Sequence, residues 1–206
     1  MKNKSIDINQ RIPIDTLHIA LESYLNDNYS DDYILEQLRL EFTGENRLKK
    51  ALRIVNKIIL NNPMQELIKE RHSEIQTAIK NKVDRDIILI SLLNSAFPFS
   101  FDVLQTFGKF FAVQELVNTE TIMKSITNVY GGNRATPNGV YSVIPMFLEA
   151  SFFSRPKMGL YEWTGELLST NKITNEIYIE SYKVNNELSA ESDNYLGNPY
   201  FQFVKV

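Results

Sequence analysis

The sequence predicts a mainly α-helical protein: a helical N-terminal body followed by a smaller α+β module with short antiparallel strands. Three observations lead there. Up to about residue 150, apolar residues recur at spacings of three and four, as on amphipathic helices. The connections are short and place Ser, Thr, Asn, Gly or Pro where helices start and stop. After residue 151 the texture turns aromatic and β-branched. "GLYEWT", "NEIYIESYKV" and "NPYFQFVKV", set apart by Asn, Ser and Gly, read as strands.

Residues 1–13 are polar and are expected to be flexible. From Asp15, the residues Leu17, Ala20, Leu21, Tyr24 and Leu25 share one helical face. Ser30 caps a second helix, with Asp31 and Asp32 in its first turn, where the helix dipole favours acids. Leu48, Leu52, Val55, Ile58 and Ile59 mark a third helix over about 44–61, stopped by "NNP". A fourth is expected over 63–81. "DRDIILISLLNSAF" is apolar almost all round and reads as a central, covered helix; a strand is the competing reading, and length favours helix. Pro98 ends it. Ser100 is expected to cap the next helix, "FDVLQTFGKFFAVQEL", and Thr119 the one after. The domain reading is a flexible segment 1–13, a helical domain 14–117 and an α+β module 118–206.

Composition excludes several function classes. The 206 residues carry a net charge of -3, so any face for nucleic acid must arise by local clustering of Lys and Arg. There is no cysteine, hence no disulfide, thiolate metal site or cysteine nucleophile. The first residues have no apolar core of a signal peptide. The run "DIILISLL" is far short of the roughly 20 residues that span a bilayer. A cytoplasmic protein with no membrane partner is expected. His18 and His72 have no companion at metal-ligand spacing, and no phosphate loop or dinucleotide fingerprint occurs. The expectation is a non-enzyme that needs no cofactor and no metal.

Two segments carry the functional reading. In "YGGNRATPNGVYSVIPMFLEASFFSRPKMGLYEW", a helix ends at glycine, Thr136 is placed as N-cap and Pro137 at the first helical position. Val140, Ile144, Phe147 and Leu148 face inward, Pro145 interrupts one hydrogen bond, and a basic, Pro-containing corner precedes a strand. Helix, tight turn, helix and basic hairpin follow the order of a winged helix. There the second helix of the pair lies in the major groove and the hairpin touches phosphate. The groove-facing candidates are Asn133, Arg134, Thr136, Asn138 and Tyr141, with Arg155 and Lys157 on phosphates; Arg and Asn pair bidentately with guanine and adenine edges.

The other segment is the third helix. It carries Arg47, Lys49, Lys50, Arg53 and Lys57 against the single acid Glu45. Lys50, Arg53 and Lys57 align at helical spacing, which suits a phosphate backbone; a solvated helix face is the plain alternative. From Glu162 onward seven acids face three lysines, so that end is expected to avoid nucleic acid.

"FTGENRLKKALRIVNKII", "DIILISLLNSAFPFSFDVLQTFGKFFAVQE" and "GGNRATPNGVYSVIPMFLEASFF" together resemble BrxA-type proteins, small accessory components of BREX phage-defence systems, over roughly residues 40–153. The resemblance implies a mostly helical, DNA-binding helper beside a methyltransferase and a large ATPase. By position it points to Arg47, Lys49, Lys50, Arg53 and Arg134. The late helix lacks the Lys and Arg expected after its cap, and the tail beyond Trp163 is longer than the resemblance explains. The expected function is therefore a double-stranded-DNA-binding accessory protein. The alternative is a protein–protein adaptor or transcriptional regulator using the same winged-helix-like module.

Overall fold

The structure is a computed structural model that describes residues 5–187 and 197–206. Residues 1–4, and Glu191 and Asp193 of the acidic tail, lie outside the described residues. The chain is mainly helical. The first helices are α1 (Ile14–Leu25), α2 (Asp31–Arg39), α3 (Glu45–Ile59), α4 (Gln65–Glu70), α5 (His72–Ala78), α6 (Lys82–Ala96) and α7 (Pro98–Phe111). Then follow β1 (Leu116–Asn118), α8 (Thr119–Tyr130), α9 (Ala135–Glu149), β2 (Ser154–Lys157), β3 (Leu160–Glu162) and β4 (Leu167–Leu168). The chain closes with α10 (Lys172–Asn186), a 3-10 turn (Pro199–Gln202) and β5 (Val204–Lys205). No helix among the described residues is long and apolar enough to cross a membrane.

Helix α6 is the axis of the body. Every residue from Asp86 to Ala96 is buried, and α1, α3, α7 and α10 pack around it. An all-round apolar helix is stable only when covered on every side, which its neighbours provide. Where α3 ends, the buried side chain of Asn62 replaces the lost helical partners: its amide donates to Ile58 O (2.8 Å) and Leu92 O (2.9 Å). One apolar cluster runs without a break from Ile8 to Val204, so the expected division at residue 117 does not separate two cores.

Around α8 and α9 the connectivity is β1, α8, α9, β2, β3. The three strands form an antiparallel sheet in the order β1-β3-β2, with Leu116 opposite Glu162 and Lys157 opposite Leu160. Phe107 of α7, Phe153 and Tyr161 hold the sheet to the body. The Phe107 ring stacks on Phe153 at 4.4 Å and meets Tyr161 edge-on at 5.2 Å.

Several expectations are corrected. "NEIYIESYKV" is helix α10, not a strand. Its buried set, Ile173, Thr174, Ile177, Tyr178, Ser181 and Tyr182, repeats with a helical period, and it lies on α6. The Ser181 hydroxyl donates to Ser91 O at 2.9 Å and the Asn185 amide to Asn94 O at 3.0 Å. "NPYFQFVKV" is strand only at Val204–Lys205; its first part is the 3-10 turn, seated so tightly on α7 that a Cβ at Gly108 would stand 1.9 Å from Pro199 O. The short strands are not all antiparallel as expected: β4 and β5 pair in parallel, in a sheet separate from β1-β3-β2. The stretch 63–81 breaks into α4 and α5 at Arg71. Helix α7 begins at Pro98, and buried Ser100 donates to Asn94 Oδ1 (2.6 Å) instead of capping. Asn118, not Thr119, caps α8 by accepting from Thr121 N (2.8 Å).

The start of α10 is fixed by a residue far away in sequence. The Asp84 carboxylate of α6, wholly buried, accepts from Thr170 N (3.1 Å), Asn171 N (3.2 Å), Asn171 Nδ2 (2.9 Å) and the Thr170 hydroxyl. Helix N-termini leave N–H groups without intrahelical partners, and here an acid from another helix supplies one.

Residues 5–13, expected to be flexible, are packed. Ile8 and Ile12 are wholly buried, and the polar residues between them reach two helices. Asp7 pairs with Lys57 of α3, and Gln10 donates to Arg47 O (3.2 Å). The Arg11 guanidinium donates to Glu149 of α9 at 2.6 Å, and Ile14 N to the same carboxylate at 3.0 Å.

Candidate nucleic-acid interface

Helix α3 buries Leu48, Ala51, Ile54, Val55, Ile58 and Ile59 against the body. At 100° per residue that places Lys49, Lys50 and Arg53 on the opposite, outward face, and all three are exposed. Arg47 stands exposed one turn earlier. Among the described residues none of these four cations forms an ion pair. Lys57 is different, because it already has an acidic partner. It pairs with Asp7, and its ammonium lies 4.3 Å from the centre of the Phe97 ring. The pair is partly exposed, with the Lys57 side chain 40% accessible.

The start of α9 is built from its own turn. Asn133 Oδ1 accepts from Ala135 N (3.0 Å), and the Thr136 hydroxyl donates back to Gly131 O (2.6 Å). Thr136 is wholly buried and does not face a groove, a correction: the side chain expected to cap α9 closes the preceding turn instead. Asn133, Arg134 and Asn138 are exposed, and Tyr141 is 60% exposed. Helix α9 continues through Pro145.

Residues 6–9 lie against both α3 and α9. Ile6, Asp7 and Asn9 line a small cleft of roughly 370 Å³ with Arg53, Lys57 and Phe97. Ile6 also touches α9, so closely that a Cβ at Gly139 would stand 2.8 Å from Ile6 Cγ2. Tyr130, at the end of α8, donates to Asp102 (2.8 Å). Burial pushes its hydroxyl up, followed by Asp102 and then by Asp7, whose carboxylate is close enough to be felt.

The β2–β3 hairpin carries Arg155 and Lys157, both exposed and without an ion-pair partner among the described residues. The Arg155 guanidinium carbon is 6.0 Å from the centre of the Tyr161 ring. Between hairpin, α9 and the start of α8 lies a cleft of roughly 630 Å³ lined by Asn118, Thr119, Tyr141, Pro145, Arg155 and Met158. Glu120 also borders it, the one acid there. No group of three or more His, Asp and Glu side chains placed to hold a metal ion occurs among the described residues.

The expected cations therefore fall into an α3 row, an α9 turn and a hairpin. Two features escaped the sequence reading. Asp7 cancels Lys57 from fifty residues away, which no local pattern signals. Met158 stands exposed at the hairpin tip, and its position between Lys157 and Gly159 in a hairpin turn could have marked it. No protein-family model matches the chain, and neither the curated proteins nor the solved structures include a match.

Proposed function

We propose that the protein is a non-enzymatic, cytoplasmic, DNA-binding accessory protein of a bacterial phage-defence system, with a winged-helix-like module formed by α7 to β3. The observation that supports this most is connectivity: strand, helix, turn, helix and hairpin, with the last strand central in a three-stranded sheet. In this reading the N-terminal end of α9 and the hairpin meet a duplex together. In this reading Arg134 and Asn138 reach base edges in the major groove, Tyr141 packs beside them, and Asn133 sits at the edge of the contact. Arg155 and Lys157 hold phosphates across the cleft, and Arg47, Lys49, Lys50 and Arg53 extend the phosphate contact along α3. A methyltransferase and an ATPase as partners follow from the BrxA-type resemblance alone.

Arg134→Ala tests the base-reading part. Selection of bound sequences from a random duplex pool is expected to give a preference for the parent that the variant loses at one position. The loss corresponds to about 1–3 kcal/mol of discrimination there, with affinity for mixed sequence little changed. An unaltered preference would remove Arg134 from base readout. The adaptor reading is favoured by one feature, the apolar part of the cleft around Tyr141, Pro145 and Met158. Such a contact would be nearly indifferent to salt, whereas a phosphate contact weakens steeply.

A further inference from the structure

The hairpin tip is built for more than phosphate contact. Lys157 pairs with Leu160, so the turn between the strands contains only Met158 and Gly159. Met158 is 88% exposed, more than any other large apolar side chain among the described residues. Arg155, Pro156 and Lys157, all exposed, lead into it. The tip is also held firmly. Gly159 takes φ +77°, which a side chain would resist, and its carbonyl accepts from Thr119 N at 2.9 Å. Behind it, Phe153 and Tyr161 anchor the two ends of the hairpin in the aromatic cluster with Phe107. An unbranched apolar side chain thus stands at the tip of a braced hairpin, preceded by two cations.

We propose that Met158 is a wedge that enters the minor groove and slides between adjacent base pairs, bending the bound duplex. This rests on the DNA-binding reading above and names how the hairpin engages its ligand. A thioether chain is narrow, flexible and apolar, so it can follow a partly opened base step and bury its surface there. Arg155 and Lys157 would hold the phosphates beside the opened step and so offset the lost stacking. Pyrimidine–purine steps unstack most readily, so the wedge gives a preference for a TA step without any hydrogen bond to its bases.

The test uses the full-length protein and two short duplexes, one with a central TA step and one with a central GC step. Each carries a donor–acceptor dye pair at its ends, and a 2-aminopurine reports stacking at the step. On the TA duplex the parent is expected to shorten the end-to-end distance and brighten the 2-aminopurine, and to bind it about tenfold more tightly than the GC duplex. Met158→Ala should still bind, but without bending, brightening or TA preference, and Met158→Leu should restore all three. Lys157→Ala should weaken both duplexes alike. Binding by the parent without bending, or bending by Met158→Ala equal to the parent's, overturns the wedge and leaves the DNA reading standing. No binding of either duplex by the parent overturns both.

Discussion

Lys50→Glu combined with Arg53→Glu is expected to lower affinity for any duplex by about a hundredfold or more at low salt, while the fold stays intact. Both side chains lie on the outward face of α3, exposed and without ion-pair partners among the described residues. Replacing them breaks no ion pair among the described residues, so circular dichroism and melting should match the parent. What changes is the field facing the duplex. Two groups that release counterions from DNA become two that repel phosphate, and the loss is blind to sequence because phosphates carry no base information. Fluorescence anisotropy with a mixed-sequence duplex checks this. Affinity equal to the parent's would make α3 a plain solvated face and leave DNA contact, if any, to α9 and the hairpin.

The second large effect is on stability. Asp84→Ala is expected to cost about 2–4 kcal/mol, because two backbone N–H groups, Thr170 and Asn171, lose a charged acceptor. For a chain of this size that lowers the melting temperature by roughly 5–15 °C. The damage should centre on α10, whose docking on α6 depends on that start. Burial pushes the Asp84 carboxyl up, but the hydrogen bonds led by Thr170 outweigh it and hold the group below its ordinary value of 3.8. The folded protein then takes up this proton less readily than the unfolded chain does. The carboxylate's contribution is complete above the ordinary value and disappears as pH falls through the lower, folded one. The parent should therefore lose thermal stability below about pH 4, and Asp84→Ala should lose less over the same range. A variant melting with the parent at neutral pH would contradict this role.

Much of the helical layout was legible in the sequence because it rests on local physics. Helical apolar spacing located α1, α2, α3 and α9, an all-round apolar run of helical length located α6, stop and cap residues marked α8, and Ser30 does cap α2 by accepting from Tyr33 N. The hairpin was visible from its turn residues and aromatic strand. Helix α10 was misread because Ile177, Ile179, Tyr178 and Tyr182 favour strands by type. The deciding pattern was the i, i+4 repeat from Ile173 to Tyr182, which propensity obscured. β1 is only three residues long and has no signature of its own; it forms because β3 is there to pair with it.

The candidate site was less legible than the fold, since accessibility is set by distant partners. Lys57 and Lys50 look alike in sequence, yet Asp7 and Phe97 claim only the first. Thr136 has the residue type of a cap and sits beside Arg134, yet its hydroxyl turns inward to Gly131. The packing of Ile8 and Ile12 was likewise hidden within a mostly polar stretch. It matters for function, because that segment joins α3 to α9.

A salt titration of duplex affinity, parent beside Lys50→Glu/Arg53→Glu, reaches the heart of the proposal. If Arg47, Lys49, Lys50, Arg53, Arg155 and Lys157 all meet phosphate, log affinity should fall against log salt with a slope of about -5, and the double variant's slope should be shallower by about 2. A line nearly flat for the parent, or two parallel lines, would mean that these cations do not grip a duplex.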